Sequence, residues 1–143
     1  FAKSIYHVHN GLYDDRLKIW DDTPIELNSG DQFYLPVDSV IIKIFEHLKR
    51  RENSQKWTFN RINECINKHY KGKDIEKWDD LWFWGFITQK TLVIDKETKK
   101  RVFEWNPNKY WALQHSDKSP SIEAKVEELS VEFLSILNKH KHA

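Results

Sequence analysis

The apolar residues of this chain repeat with a helical period through one stretch and a strand period through the next. That change of period constrains the fold more than any other feature. Val40, Ile41, Ile44, Phe45 and Leu48 fall on one face of a helix. Phe59, Ile62, Cys65, Ile66 and Tyr70 make a second stripe behind Thr58, whose hydroxyl suits an N-cap. A third stripe, Ile75, Trp78, Leu81 and Trp82, follows Asp74 as its cap and stops near Gly85. The pattern then alternates: Thr91 to Ile94 is β-branched and apolar, residues 95–100 are polar, and Arg101 to Trp105 alternates again. This predicts a hairpin with a charged tip. Tyr110-Trp111-Ala112-Leu113 reads as a short closing strand. Ser119-Pro120 opens a last helix carrying Ile122, Val126, Leu129, Phe133, Ile136 and Leu137. The fold class expected is α+β.

The first 35 residues read differently. Ser4 to His9 looks extended, Asn10-Gly11 is a tight-turn dipeptide, and Leu17 to Trp20 can pair back across it. The expected organisation is therefore a β-rich acidic extension over 1–35, a helical and hairpin domain over 36–113, and a linker with an amphipathic helix over 114–143. On a strand, His7 and His9 would share a face near Asp14 and Asp15, a spacing metals use. Two histidines on a polar strand face are much commoner than a metal site, so no metal is expected.

Several function classes are excluded by what is missing. The apolar runs are only a few residues long, far below the roughly 20 a membrane helix needs, and no secretory leader is visible. The single cysteine, Cys65, rules out an internal disulfide framework. Four glycines form no phosphate loop, and no catalytic triad can be defended. No cofactor and no catalytic activity are expected in this chain, and an intracellular location is. A chain that starts at Phe1 and contains no methionine reads as a piece of something larger.

Charge is uneven although the net value is only +1. Residues 1–40 carry three basic and seven acidic side chains, residues 41–118 seventeen and eleven, and residues 119–143 three and four. A basic middle segment points to an anionic partner.

Three helices followed at once by a hairpin with a basic tip resemble the winged-helix variant of the helix-turn-helix. Leu81-Trp82-Phe83-Trp84-Gly85-Phe86-Ile87 looks like that superfamily's Leu-x-x-x-Gly-Leu-Ile ending, and the likeness spans residues 36–113. It implies double-stranded DNA as partner, with the third helix in the major groove and the wing on the backbone. Carried onto this chain, the DNA-binding residues would be Asn60, Arg61, Asn63, Lys68, Lys71, Lys73, Lys77, Lys96, Lys99, Lys100 and Arg101. The apolar stripe of the last helix can fold back on residues 1–35 or pair with a copy of itself, and the resemblance raises the second option, a homodimer through residues 119–139. Such a module would serve a larger transcription regulator or a DNA-processing enzyme, for example in restriction–modification. Trp57, Trp84 and Trp105 are candidates for an aromatic pocket that reads a modified base. The competing interpretation is a protein–protein module that docks through the acidic third helix, with Asp79 and Asp80, and a Trp-rich surface.

Overall fold

A computed structural model describes residues 2–12, 14–20, 25–28, 30, 32–48, 55–70, 75–113 and 119–141. The chain divides into two compact units, Phe1–Tyr34 and Leu35–Ala143. Among the described residues there are six α-helices and one two-stranded antiparallel sheet, an α+β composition.

The first unit departs from expectation. Ser4 to His9 lies in a helix, α1 (Ala2–His9), followed by a 3-10 turn over Asp15–Leu17, and no strand occurs among the described residues of this unit. The Asn10-Gly11 dipeptide explains the error. Gly11 adopts φ 82°, Leu12 N donates to His7 O at 3.0 Å, and Gly11 N donates to Val8 O at 3.2 Å. That pair of bonds is the glycine-terminated end of a helix, which uses the same left-handed residue as a hairpin turn. Val8 and His9 are buried and Ile5 is half-buried, a helical stripe that short alternation also fits.

In the second unit, α2 (Ser39–Leu48) starts at Asp38, whose Oδ1 accepts from Val40 N at 2.8 Å and Ile41 N at 3.1 Å. Helix α3 (Phe59–His69) has Thr58 as N-cap, accepting from Arg61 N. A 3-10 segment, Ile75–Asp79, runs into α4 (Asp80–Ile87), so the third helix starts later and tighter than expected. Its end at Ile87 lies near Gly85, as expected. The expected cap Asp74 lies outside the described residues.

The sheet pairs β1 (Gln89–Val93) with β2 (Lys99–Phe103), in register Gln89 to Phe103 through Val93 to Lys99. The expected closing strand at 110–113 is instead part of α5 (Pro107–Leu113). Asn106 and Pro107 set this: the Asn106 carbonyl accepts from Lys109 N and Tyr110 N, and proline tolerates the first helical turn. Helix α6 (Pro120–Lys139) follows Ser119 as expected and packs on α2 and α4. Leu35, Ile41, Ile44, Ile62 and Ile87 form the centre of the core, each at 1% exposure or less. Each such side chain contributes roughly 2–3 kcal/mol. That far exceeds the half-exposed Lys43–Glu46 pair at 3.5 Å, for which about 1 kcal/mol is an upper figure.

Candidate functional site

The hairpin is mounted on α2 by polar contacts that run from the buried Gln89 out to the surface. Gln89, fully buried, donates from Nε2 to Val40 O at 3.0 Å. Arg101 Nη1 donates to Ser39 O at 3.1 Å and to Gln89 Oε1 at 3.4 Å. The base of the arm is thus fastened to the first turn of α2. At the far end, Asp95 Oδ1 accepts from Glu97 N at 2.9 Å and Thr98 N at 2.7 Å. Those backbone donors, with the Thr98 hydroxyl, hold its carboxyl below the usual carboxylate range.

Lys96, Lys99 and Lys100 are exposed along this arm, and Arg101 is half-buried at its base. None of the four has a carboxylate partner among the described residues; the hairpin's ion pair joins Lys90 to Glu104 at 3.4 Å.

Beside the arm, α4 presents Trp82 and Phe86, stacked at 5.0 Å with a 14° interplanar angle. Trp82 Nε1 donates to Asp38 Oδ2 at 2.9 Å. Lys109, from α5, places Nζ 4.7 Å from the centre of the Phe86 ring. Burial, then the nearby Arg101 charge, pushes the Lys109 ammonium below its ordinary pKa. The hairpin base, α4 and α5 therefore gather two unneutralised cations next to stacked aromatic rings. Sequence reasoning missed Lys109, Asp38 and Gln89. Asp38 had a signal, an Asx residue just ahead of an apolar-periodic run.

The expected contact residues divide into groups. Asn60, Lys68 and Lys77 are exposed, while Lys71 and Lys73 lie outside the described residues. Arg61 is half-buried, donating to Lys56 O at 3.1 Å, with its guanidinium 5.3 Å from the Trp57 ring centre. Asn63 does not face out: at 2% exposure it accepts from Leu35 N at 2.8 Å and donates to Leu35 O and Phe59 O, each at 3.1 Å. Its amide groups are committed inside the fold.

The three tryptophans each have their own ring partners. Trp57 meets Phe45 at 5.4 Å, Trp84 stacks on Phe133 at 6.4 Å, and Trp105 lies 6.0 Å from Tyr110. Trp57 Nε1 is buried without a hydrogen-bond partner among the described residues.

The expected histidine pair is split by the helical geometry of α1, which turns successive alternate residues to different sides. His9 stacks on Trp20 at 4.0 Å and accepts from Ile19 N, whereas His7 meets Tyr6 and Phe33. Among the described residues no group of three or more His, Cys, Asp or Glu is placed to hold a metal ion. No described helix is long and apolar enough to cross a membrane.

No family model, curated protein or solved structure matches the chain.

Proposed function

We propose that residues 36–113 form a winged-helix module that binds double-stranded DNA, with the hairpin as wing and α4 beside the groove. The observation that carries this reading is the set of four hairpin cations without carboxylate partners on an arm fastened at its base. Phosphate oxygens are acceptors only, and lysine and arginine are donors only, so the two match without rearrangement. Lys109 adds a fifth cation beside Arg101. Phosphate contacts position a protein and carry no sequence information. Specificity would come from α4 and the exposed part of α3, including Asn60. The module would serve a larger regulator or DNA-processing enzyme.

Fluorescence anisotropy with a mixed 20-bp duplex tests it. About five neutralised phosphates predict a log–log salt slope near −4 to −5, a loss of roughly 10²- to 10³-fold between 50 and 200 mM salt. Replacing Lys96, Lys99 and Lys100 together by Gln is expected to flatten that slope by about 3. Duplex binding absent at 50 mM salt would sink the proposal and favour a protein partner, whose affinity for a Trp-rich surface should barely respond to salt. Cytosine methylation is expected to change little, because Trp57, Trp84 and Trp105 are each engaged elsewhere.

One feature favours a homodimer through α6. Ile122, Leu129 and Ile136 recur every seven residues, and all are exposed, the outer two at 54%. Ser130 and Leu137, each one position further along and so about 100° round the helix, are buried. A second copy would cover that stripe. Light scattering should then give twice the chain mass, and Ile122→Glu with Ile136→Glu should give the monomer; a monomeric parent chain at 100 µM (about a hundred-fold above a micromolar Kd) would refute it.

A further inference from the structure

We propose that the cleft where α2, β2 and the end of α6 meet binds a phosphoryl group. The cleft holds about 310 Å³ and is lined by Lys43, Glu46 and His47 of α2, Lys100 and Arg101 of β2, and Lys141 just beyond α6. Four permanent cations and an imidazole thus converge on a space with one carboxylate, and that carboxylate is engaged by Lys43. Lys100 and Lys141 have no ion-pair partner among the described residues. Like charges gathered in a partly enclosed place repel one another, and an anion removes that cost.

His47, Arg101 and the backbone that carries Lys141 are held by contacts within the fold. His47 Nε2 is 3.1 Å from Asn138 Oδ1, and its ring stands edge-on to Phe103 at 4.8 Å. Lys141 N donates to Asn138 O at 3.2 Å, so the turn that carries Lys141 is tied to the residue that α2 holds. Arg101 is oriented by Ser39 O and Gln89. The ligating groups come from three separate elements, unlike a row of lysines along one helix. The lysine and arginine groups offer donors and no acceptors, which suits an acceptor-only ligand such as phosphate. The volume is generous for a lone ion and suits a phosphate joined to a second phosphate or a sugar. Such a group could come from a nucleic-acid backbone or from a small phosphorylated molecule. The proposal does not depend on duplex binding by the hairpin.

Calorimetric titration of the whole chain with inorganic pyrophosphate at low salt is expected to show one-site binding. The double variant Lys100→Gln/Lys141→Gln should weaken it about tenfold or more, since two charge-assisted contacts are lost. Lys125→Gln/Lys139→Gln removes the same charge from α6 outside the cleft and should weaken it less than about twofold. Glu46→Gln should tighten binding, a result that damage to the fold cannot produce. No binding by the parent chain, or equal losses in the two double variants, overturns the proposal.

Lys141→Gln in the duplex assay then identifies the source. Weakened duplex binding places a backbone phosphate in the cleft. Unchanged duplex binding, with pyrophosphate affinity lost, assigns the cleft to a small phosphorylated molecule. A chain that binds pyrophosphate but no duplex would remove the hairpin reading and leave the cleft standing.

Discussion

Replacing Gly85 with valine should lower the stability of the second unit by about 3 kcal/mol, a fall in melting temperature of roughly 12 to 20 °C. A Cβ built on Gly85 would lie 2.6 Å from Ile44 Cδ1 and 2.8 Å from Val40 Cγ1. Both are core residues of α2, with Ile44 fully buried, so neither can swing into solvent. Alanine should cost less, about 1–2 kcal/mol, because its helix propensity returns about 1 kcal/mol of the overpacking. The contact gives a sharper check. Ile44→Val removes the Cδ1 that the new Cβ would strike. The Gly85→Ala/Ile44→Val pair should therefore be more stable than the sum of the single variants by about 1 kcal/mol. Strict additivity in chemical denaturation would show that the close approach of α2 and α4 is not what requires glycine.

Asn63→Leu is expected to cost about 3–5 kcal/mol although it changes the volume little. The side chain makes a two-bond clamp on the Leu35 peptide groups, accepting from N–H and donating to C=O. Leucine would leave both buried without partners, and each orphaned group costs about 1–3 kcal/mol. Asn63→Asp separates this from a packing effect. A buried carboxylate keeps the acceptor but loses the donor, and burial raises its pKa above that in the unfolded chain. The protonated form, which still donates, is favoured in the folded state. Stability of that variant should be highest at low pH and fall as pH rises through the folded pKa. A flat profile between pH 4 and 7 would contradict the clamp. Asn63 belongs to the fold, so its removal should lower duplex affinity only in proportion to unfolding.

The helical stripes at 40–48 and 59–70, the hairpin and the last helix were legible because burial imposes a period there. The misread elements are those where one local signal serves two structures. Asn10-Gly11 ends α1 instead of turning a hairpin, because both uses need a residue at positive φ. Asn106-Pro107 starts α5, where a closing strand over 110–113 was expected. Gly85 marked the approach of a helix end, and α4 does stop two residues beyond it, but the contact with Val40 and Ile44 that its missing Cβ allows was not legible. The candidate site was half legible. Charge placed the hairpin cations, since a basic tip is local in sequence. Lys109, Gln89 and Asp38 act through partners 12 to 49 residues away in the chain, and no spacing rule reaches that far. Asn63 looked like a base reader because an asparagine on a helix carries the same groups whether it faces a groove or a backbone.

Asp38 has a consequence for motion. One oxygen of its carboxylate starts α2 and the other holds Trp82 of α4, while the first turn of α2 receives Gln89 and Arg101 from the hairpin. Helix and arm therefore share an anchor, and a fluctuation that frees one loosens the other. The distance from the hairpin lysines to α4 behaves as a ruler whose length is set at folding. A ligand that touches both meets a preset span, and the entropy of aligning them is lost before encounter and not during it. Amide exchange should reflect this, with Val40, Ile41 and the base of β1 opening together as one cooperative unit.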